Sequence, residues 1–154
     1  EPINRFETYF INRADQALAL AEAVGPNCGV CLDTFHMNIE EMDMYAAIKS
    51  AKGKLVGFHV ADNNRMAPGM GNLNWQKIID TLKAINYNDV LSVEFCASLD
   101  RTPANPYPDA IDENPENLSA EQEKFLQDHG STAVTEEFYT MLTTRSIHTL
   151  SKLI

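Results

Sequence analysis

Glu1, Asp33, His59 and Glu94 are of the residue types that hold a divalent cation, and the last three fall where an apolar run gives way to polar residues. His59 closes the run KLVGFHV and opens the stretch HVADNNRMAPGMG, residues 59 to 71. Asp33 ends CGVCLD, Glu94 lies near the end of VLSVEF, and Glu1 begins EPINR, which reads as the end of a strand and its loop. Three carboxylates and one imidazole form a hard, mostly oxygen donor set. That set suits Mn²⁺, Mg²⁺ or Co²⁺ better than a structural zinc, which prefers Cys and His. Taken singly, each residue has a plainer role. An Asp after a strand is commonly a turn or cap residue, and a His on an apolar strand is commonly a satisfied core group. Glu94 is harder to dismiss, because a carboxylate in so apolar a segment needs a partner or a cation.

The elements that must position these groups follow from periodicity. Apolar residues from Phe6 to Val24 recur at helical spacing, and Gly25-Pro26 stops that helix. Residues 28–33 read as a strand, and TFHMN, which carries His36, reads as a loop. Asn38 is the expected cap of a helix over 39–51. Residues 54–61 read as a second strand and 62–73 as a Gly/Pro loop. Asn74 is expected to cap a helix over 75–86, and residues 90–95 read as a third strand. Residues 98–118 hold four of the seven prolines and read as an irregular loop. Residues 119–153 read as a C-terminal helical segment opening on Ser119-x-x-Gln122, with a break at Gly130.

Strict strand–helix alternation predicts an α/β fold with a parallel sheet and right-handed crossovers. Strand tips that carry the polar groups are the arrangement of a (β/α)₈ TIM barrel, of which about four β-α units form half. The whole chain, 1–154, is read as a single domain, the C-terminal half of such a barrel. No G-x-G-x-x-G follows a strand, so a dinucleotide fold has no support.

The 154 residues carry a net charge of −10, which disfavours nucleic acid as a partner. No apolar run reaches the length of a membrane span. Cys28, Cys31 and Cys96 are an odd, small set, which points to a reducing, cytoplasmic compartment. Cys28 and Cys31 form C-x-x-C within a strand, where they are expected to face opposite ways and to serve packing. The chain opens at Glu1 and is expected to be a piece of a longer protein.

Four segments, EPINRFE, LDTFHMNIEE, FHVADNNRMAPGMG and SVEF, occur in this order. Through them residues 1 to about 96 resemble the C-terminal half of the xylose-isomerase-like TIM-barrel sugar epimerases and isomerases, most of all the D-tagatose/D-psicose (allulose) 3-epimerases. The resemblance implies that Glu1, Asp33, His59 and Glu94 bind one divalent metal, Mn²⁺ first among the candidates. It implies that Glu1 and Glu94 move the proton on opposite faces of a ketose, through an enediolate that the cation stabilises. It assigns Glu7, His36 and Arg65 to the sugar. Phe35, Phe58, Trp75 and Phe95 are expected to pack the core more than to wall the site. An inosose dehydratase-like reaction on the same barrel, or an inactive fragment with an incomplete site, are the alternatives. An apurinic endonuclease is disfavoured by the charge and by only four histidines. A half barrel leaves open sheet edges, so association with the missing half or with a second copy is expected.

Overall fold

The computed structural model describes residues 1–96, 119–121, 124 and 136–154. Within them the strands are β1 (Val30–Asp33), β2 (Leu55–Val60) and β3 (Leu91–Val93), paired in parallel in the order β1-β2-β3. The helices are α1 (Ala14–Val24), α2 (Thr34–Glu40), α3 (Met44–Ser50), α4 (Trp75–Ala84) and α5 (Glu136–Leu150). This is the expected α/β alternation.

One face of the sheet is apolar and covered. Leu32, Phe58 and Val60 are fully buried, against a core that takes in Ala17 and Ala21 of α1, Ile48 of α3 and Ile78 and Leu82 of α4. Side chains alternate along a strand, so Cys31, Asp33 and His59 fall on the other face. The register pairs Asp33 with His59 and Cys31 with Gly57, which sets these groups side by side at the C-terminal end of the sheet. Asn74 caps α4 as expected, accepting from Lys77 N–H. Trp75, Ile78, Ile79 and Leu82 form its buried stripe.

Three expectations need correction. The first helix begins at Ala14 rather than near residue 6. The preceding segment is closed by two asparagines, which compete with helical hydrogen bonding. Asn4 Oδ1 accepts from Phe6 N–H, and the Asn12 amide donates to the carbonyls of Ile3 and Thr8. Glu1 therefore stands on an irregular segment and not on a strand. Second, TFHMN is helical. Asp33 caps α2 by accepting from His36 N–H at 2.9 Å. Third, no helix starts at Asn38. Asp43 caps the separate α3 by accepting from Tyr45 and Ala46 N–H.

Helix α5 falls within 119–153, and its Leu150 joins the core. The loop expected over 98–118, Gln122 of the expected capping box and Gly130 lie outside the described residues.

Candidate metal centre

Each of Glu1, Asp33, His59 and Glu94 offers one ligand atom, and these four atoms all lie within 4.8 Å of one another. The three strand tips supply Asp33, His59 and Glu94. Glu1 comes in from the looped N-terminal segment. His59 Nδ1 faces two carboxylates at once, with Glu1 Oε1 at 3.2 Å and Glu94 Oε2 at 2.6 Å. The second contact lacks hydrogen-bond angles. Glu94 Oε2 is buried without a donor.

One imidazole proton cannot serve two carboxylates, and a third stands beside them. Asp33 is 2% exposed. Burial, together with the charges of Glu94 and Glu1, pushes its carboxyl up to about 6, against the opposing pull of the His36 N–H bond and the His36 ring. One Asp33 oxygen is committed to capping α2, which leaves the other for a ligand. An oxygen-rich set with an orphaned buried carboxylate oxygen and a carboxyl raised by its neighbours is chemically fitted to a dication.

A second group of polar residues stands beside this cluster. Arg65 has left-handed backbone, φ 59°, at the turn after β2. Its N–H donates to Asp62 O, and its own carbonyl accepts from Cys96 N–H just beyond β3. The guanidinium lies 4.8 Å from the Phe35 ring centroid and donates to Glu7 Oε1 at 2.6 Å. Burial works to raise the Glu7 carboxyl, but the bonds from Asn4 and Arg65 outweigh it and hold it below the usual carboxylate range. His36 is buried on α2. Its Nδ1 accepts from Asn4 N–H at 3.3 Å and faces the Asn4 amide at 2.8 Å. With Nδ1 as acceptor, Nε2 is the ring nitrogen left to donate. Glu7, His36 and Arg65 thus belong to one connected network through Asn4.

Sequence reasoning missed three residues here. Asn4 reads as a loop residue, yet it is 1% exposed and ties His36 to Glu7. Asp62 is fully buried beneath the loop that carries Arg65. It accepts from Asn63, Gly69 and Leu73 N–H and from the Trp75 indole. Burial would raise its carboxyl; these bonds win and lower it. An acid directly after an apolar strand was the available signal. The third is Cys31. Its thiol is pushed up to about 11, first by burial and then by the charge of Glu1. Cys28 packs against the core, and all three cysteines are free. Phe58 and Trp75 are core residues, while Phe35 sits against the site.

Residues 1–129 match the family described as Xylose isomerase-like TIM barrel. The chain belongs to that family. The match runs past residue 96, where the resemblance carried by the four segments ends. An L-ribulose 3-epimerase of Mesorhizobium japonicum is 44% identical over 99 residues, covering 64% of this chain and 33% of that protein. A D-psicose 3-epimerase of Agrobacterium fabrum is 42% identical over 95 residues, covering 61% of this chain and 33% of that protein. Among solved structures, D-psicose 3-epimerase with D-tagatose from Clostridium cellulolyticum H10 superposes with a TM-score of 0.70 at 29% identity. It covers 99% of this chain and 46% of that one. The chain thus spans about a third to a half of the relatives it matches, and its sheet is part of a TIM barrel.

Proposed function

We propose that the protein carrying this chain is a divalent-metal-dependent ketose epimerase. The observation that carries this reading is the convergence of Glu1, Asp33, His59 and Glu94 within 4.8 Å. The named activities of its relatives as ketose 3-epimerases support it. Mn²⁺ is the cation that the hard donor set favours, with Mg²⁺ or Co²⁺ next. Bound there, it would polarise a ketose carbonyl and stabilise the enediolate.

The remaining chemistry belongs to the side chains. Glu1 and Glu94 flank His59 and are the proton carriers: one takes the proton from the carbon beside the carbonyl and the other returns it on the opposite face. His36, through Nε2–H, and Arg65 donate to hydroxyl oxygens of the sugar. Glu7 fixes the Arg65 guanidinium and accepts from a further hydroxyl. The Arg65–Glu7 pair and the two donors on His36 Nδ1 hold this network in one geometry before the sugar arrives, which reduces the cost of ordering it. The sugar is taken as unphosphorylated, since the loop after Arg65 carries no Lys or Arg cluster. Three free cysteines fit a cytoplasmic setting.

Incubating the complete protein with Mn²⁺ and a panel of ketoses in deuterated water tests the reading. The expected result is inversion at one carbon with deuterium incorporated there, read by NMR. Inversion without deuterium would contradict proton transfer to and from solvent-exchangeable carboxylates. A 3-dehydro-D-guloside 4-epimerase of Escherichia coli, 32% identical over 112 residues and covering 72% of this chain, motivates a second reading, inversion at C4 of a 3-keto sugar. Including a 3-keto glycoside in the panel separates the two.

A further inference from the structure

Cys31 stands on β1 two residues before Asp33, on the same face of the sheet. Its partner across the register is Gly57, two residues before His59. A Cβ at Gly57 would stand 3.0 Å from Cys31 Sγ, so the thiol fills the room that the glycine leaves. That seats the sulfur below the Asp33–His59 pair and toward the interior of the sheet. From there Sγ, a Glu1 carboxylate oxygen and a His59 nitrogen all lie within 4.8 Å of one another. This is a second ligand triad, sharing two arms with the first and differing from it in hardness.

We propose that Glu1, Cys31 and His59 form an alternative, thiophilic binding mode of this pocket, which takes a borderline or soft dication such as Zn²⁺ or Cd²⁺ in place of the hard ion. Thiolate selects such ions where carboxylates do not. Bond lengths of about 2.0 to 2.3 Å to N, O and S put tetrahedral ligands about 3.3 to 3.8 Å apart. The triad must therefore close from within 4.8 Å to that size when it takes an ion. Three protein ligands drawn from Cys, His and Glu, with a fourth position open, match the ligand types and number of a non-structural zinc site. On loading, the thiol proton leaves to solvent as the sulfur–metal bond forms, with no change of oxidation state. The two modes share Glu1 and His59, so a thiophilic ion competes with Mn²⁺ for those two ligands. This holds whether or not the sugar assignment does.

The test is a titration of the full chain with Cd²⁺ alone, read by thiolate-to-metal charge-transfer absorption, in wild type and in Cys31→Ser. A band saturating at one equivalent, absent from Cys31→Ser and suppressed by excess Mn²⁺, is the expected result. No band, or a band that survives in Cys31→Ser and so belongs to Cys28 or Cys96, overturns the proposal. If circular dichroism shows that Cys31→Ser does not fold, the wild type decides alone. Cd²⁺ should then protect Cys31, and not Cys28 or Cys96, from alkylation in peptide mass mapping, and an unprotected Cys31 overturns it. Mn²⁺ binding without the band sinks the thiophilic mode alone. The band without Mn²⁺ binding sinks the hard centre alone.

Discussion

Asp33 joins structure to cation affinity through a proton. Its carboxyl is raised to about 6 in the folded chain, against about 3.9 when unfolded. Between those values the native state holds the extra proton, so the contribution of this group to stability falls as pH rises from about 4 to about 6. A cation must displace that proton. Mn²⁺ affinity is therefore expected to weaken about tenfold per pH unit below about 6. Calorimetric titration across that range reads it, and a flat profile would contradict it. In Asp33→Asn both the steep dependence and most of the affinity should go. Arg65 makes a separate prediction. It touches Glu7 and Phe35 but none of the four metal-facing groups in the contacts described, so Arg65→Ala should raise KM for the sugar while Mn²⁺ binding persists. A loss of Mn²⁺ binding in that variant would place Arg65 in the metal set instead.

At the level of elements, short acidic caps govern how the site is presented. Asp43 only caps α3, so Asp43→Ala should cost about 1 kcal/mol in urea unfolding and leave Mn²⁺ affinity alone. Asp62 organises the whole 62–73 loop through three backbone N–H groups and an indole. Asp62→Ala strands those donors in a buried place, and a loss of about 3 kcal/mol or more is expected. The two variants separate a local cap from a loop-building carboxylate; equal losses would contradict that distinction.

Much at this scale was legible beforehand. The apolar runs ending in Asp33, His59 and Glu94 named the strand tips, and Asn74 followed by Trp75, Ile78 and Leu82 named α4. Periodicity failed where polar side chains bond to nearby backbone. Asn4 and Asn12 turned an apparently helical stretch into a loop, and Asp33 began a helix where a loop was expected. Cys31 was hidden for another reason: its closeness to Glu1 and His59 depends on the pairing with Gly57, a cross-strand register no local pattern contains.

In the whole molecule, the described sheet is covered on one face and open on the other. Among the described residues β1 and β3 each pair on one side only, and Val93 of β3 is 40% exposed. Open parallel edges with apolar surface favour addition of further strands. The chain by itself is expected to associate, with another copy or with the rest of a barrel. Light scattering that found a stable 17.2 kDa monomer would contradict this. No described helix is long and apolar enough to cross a membrane.

The cluster of three carboxylates around His59 is tested most directly by Mn²⁺ titration of the chain, with binding and melting temperature followed together. Saturable uptake of one ion per chain is expected, with a melting temperature that climbs with Mn²⁺ concentration and a much weaker response in Glu94→Gln. No saturable binding, and a melting temperature indifferent to Mn²⁺, would contradict the metal centre and the sugar chemistry that depends on it.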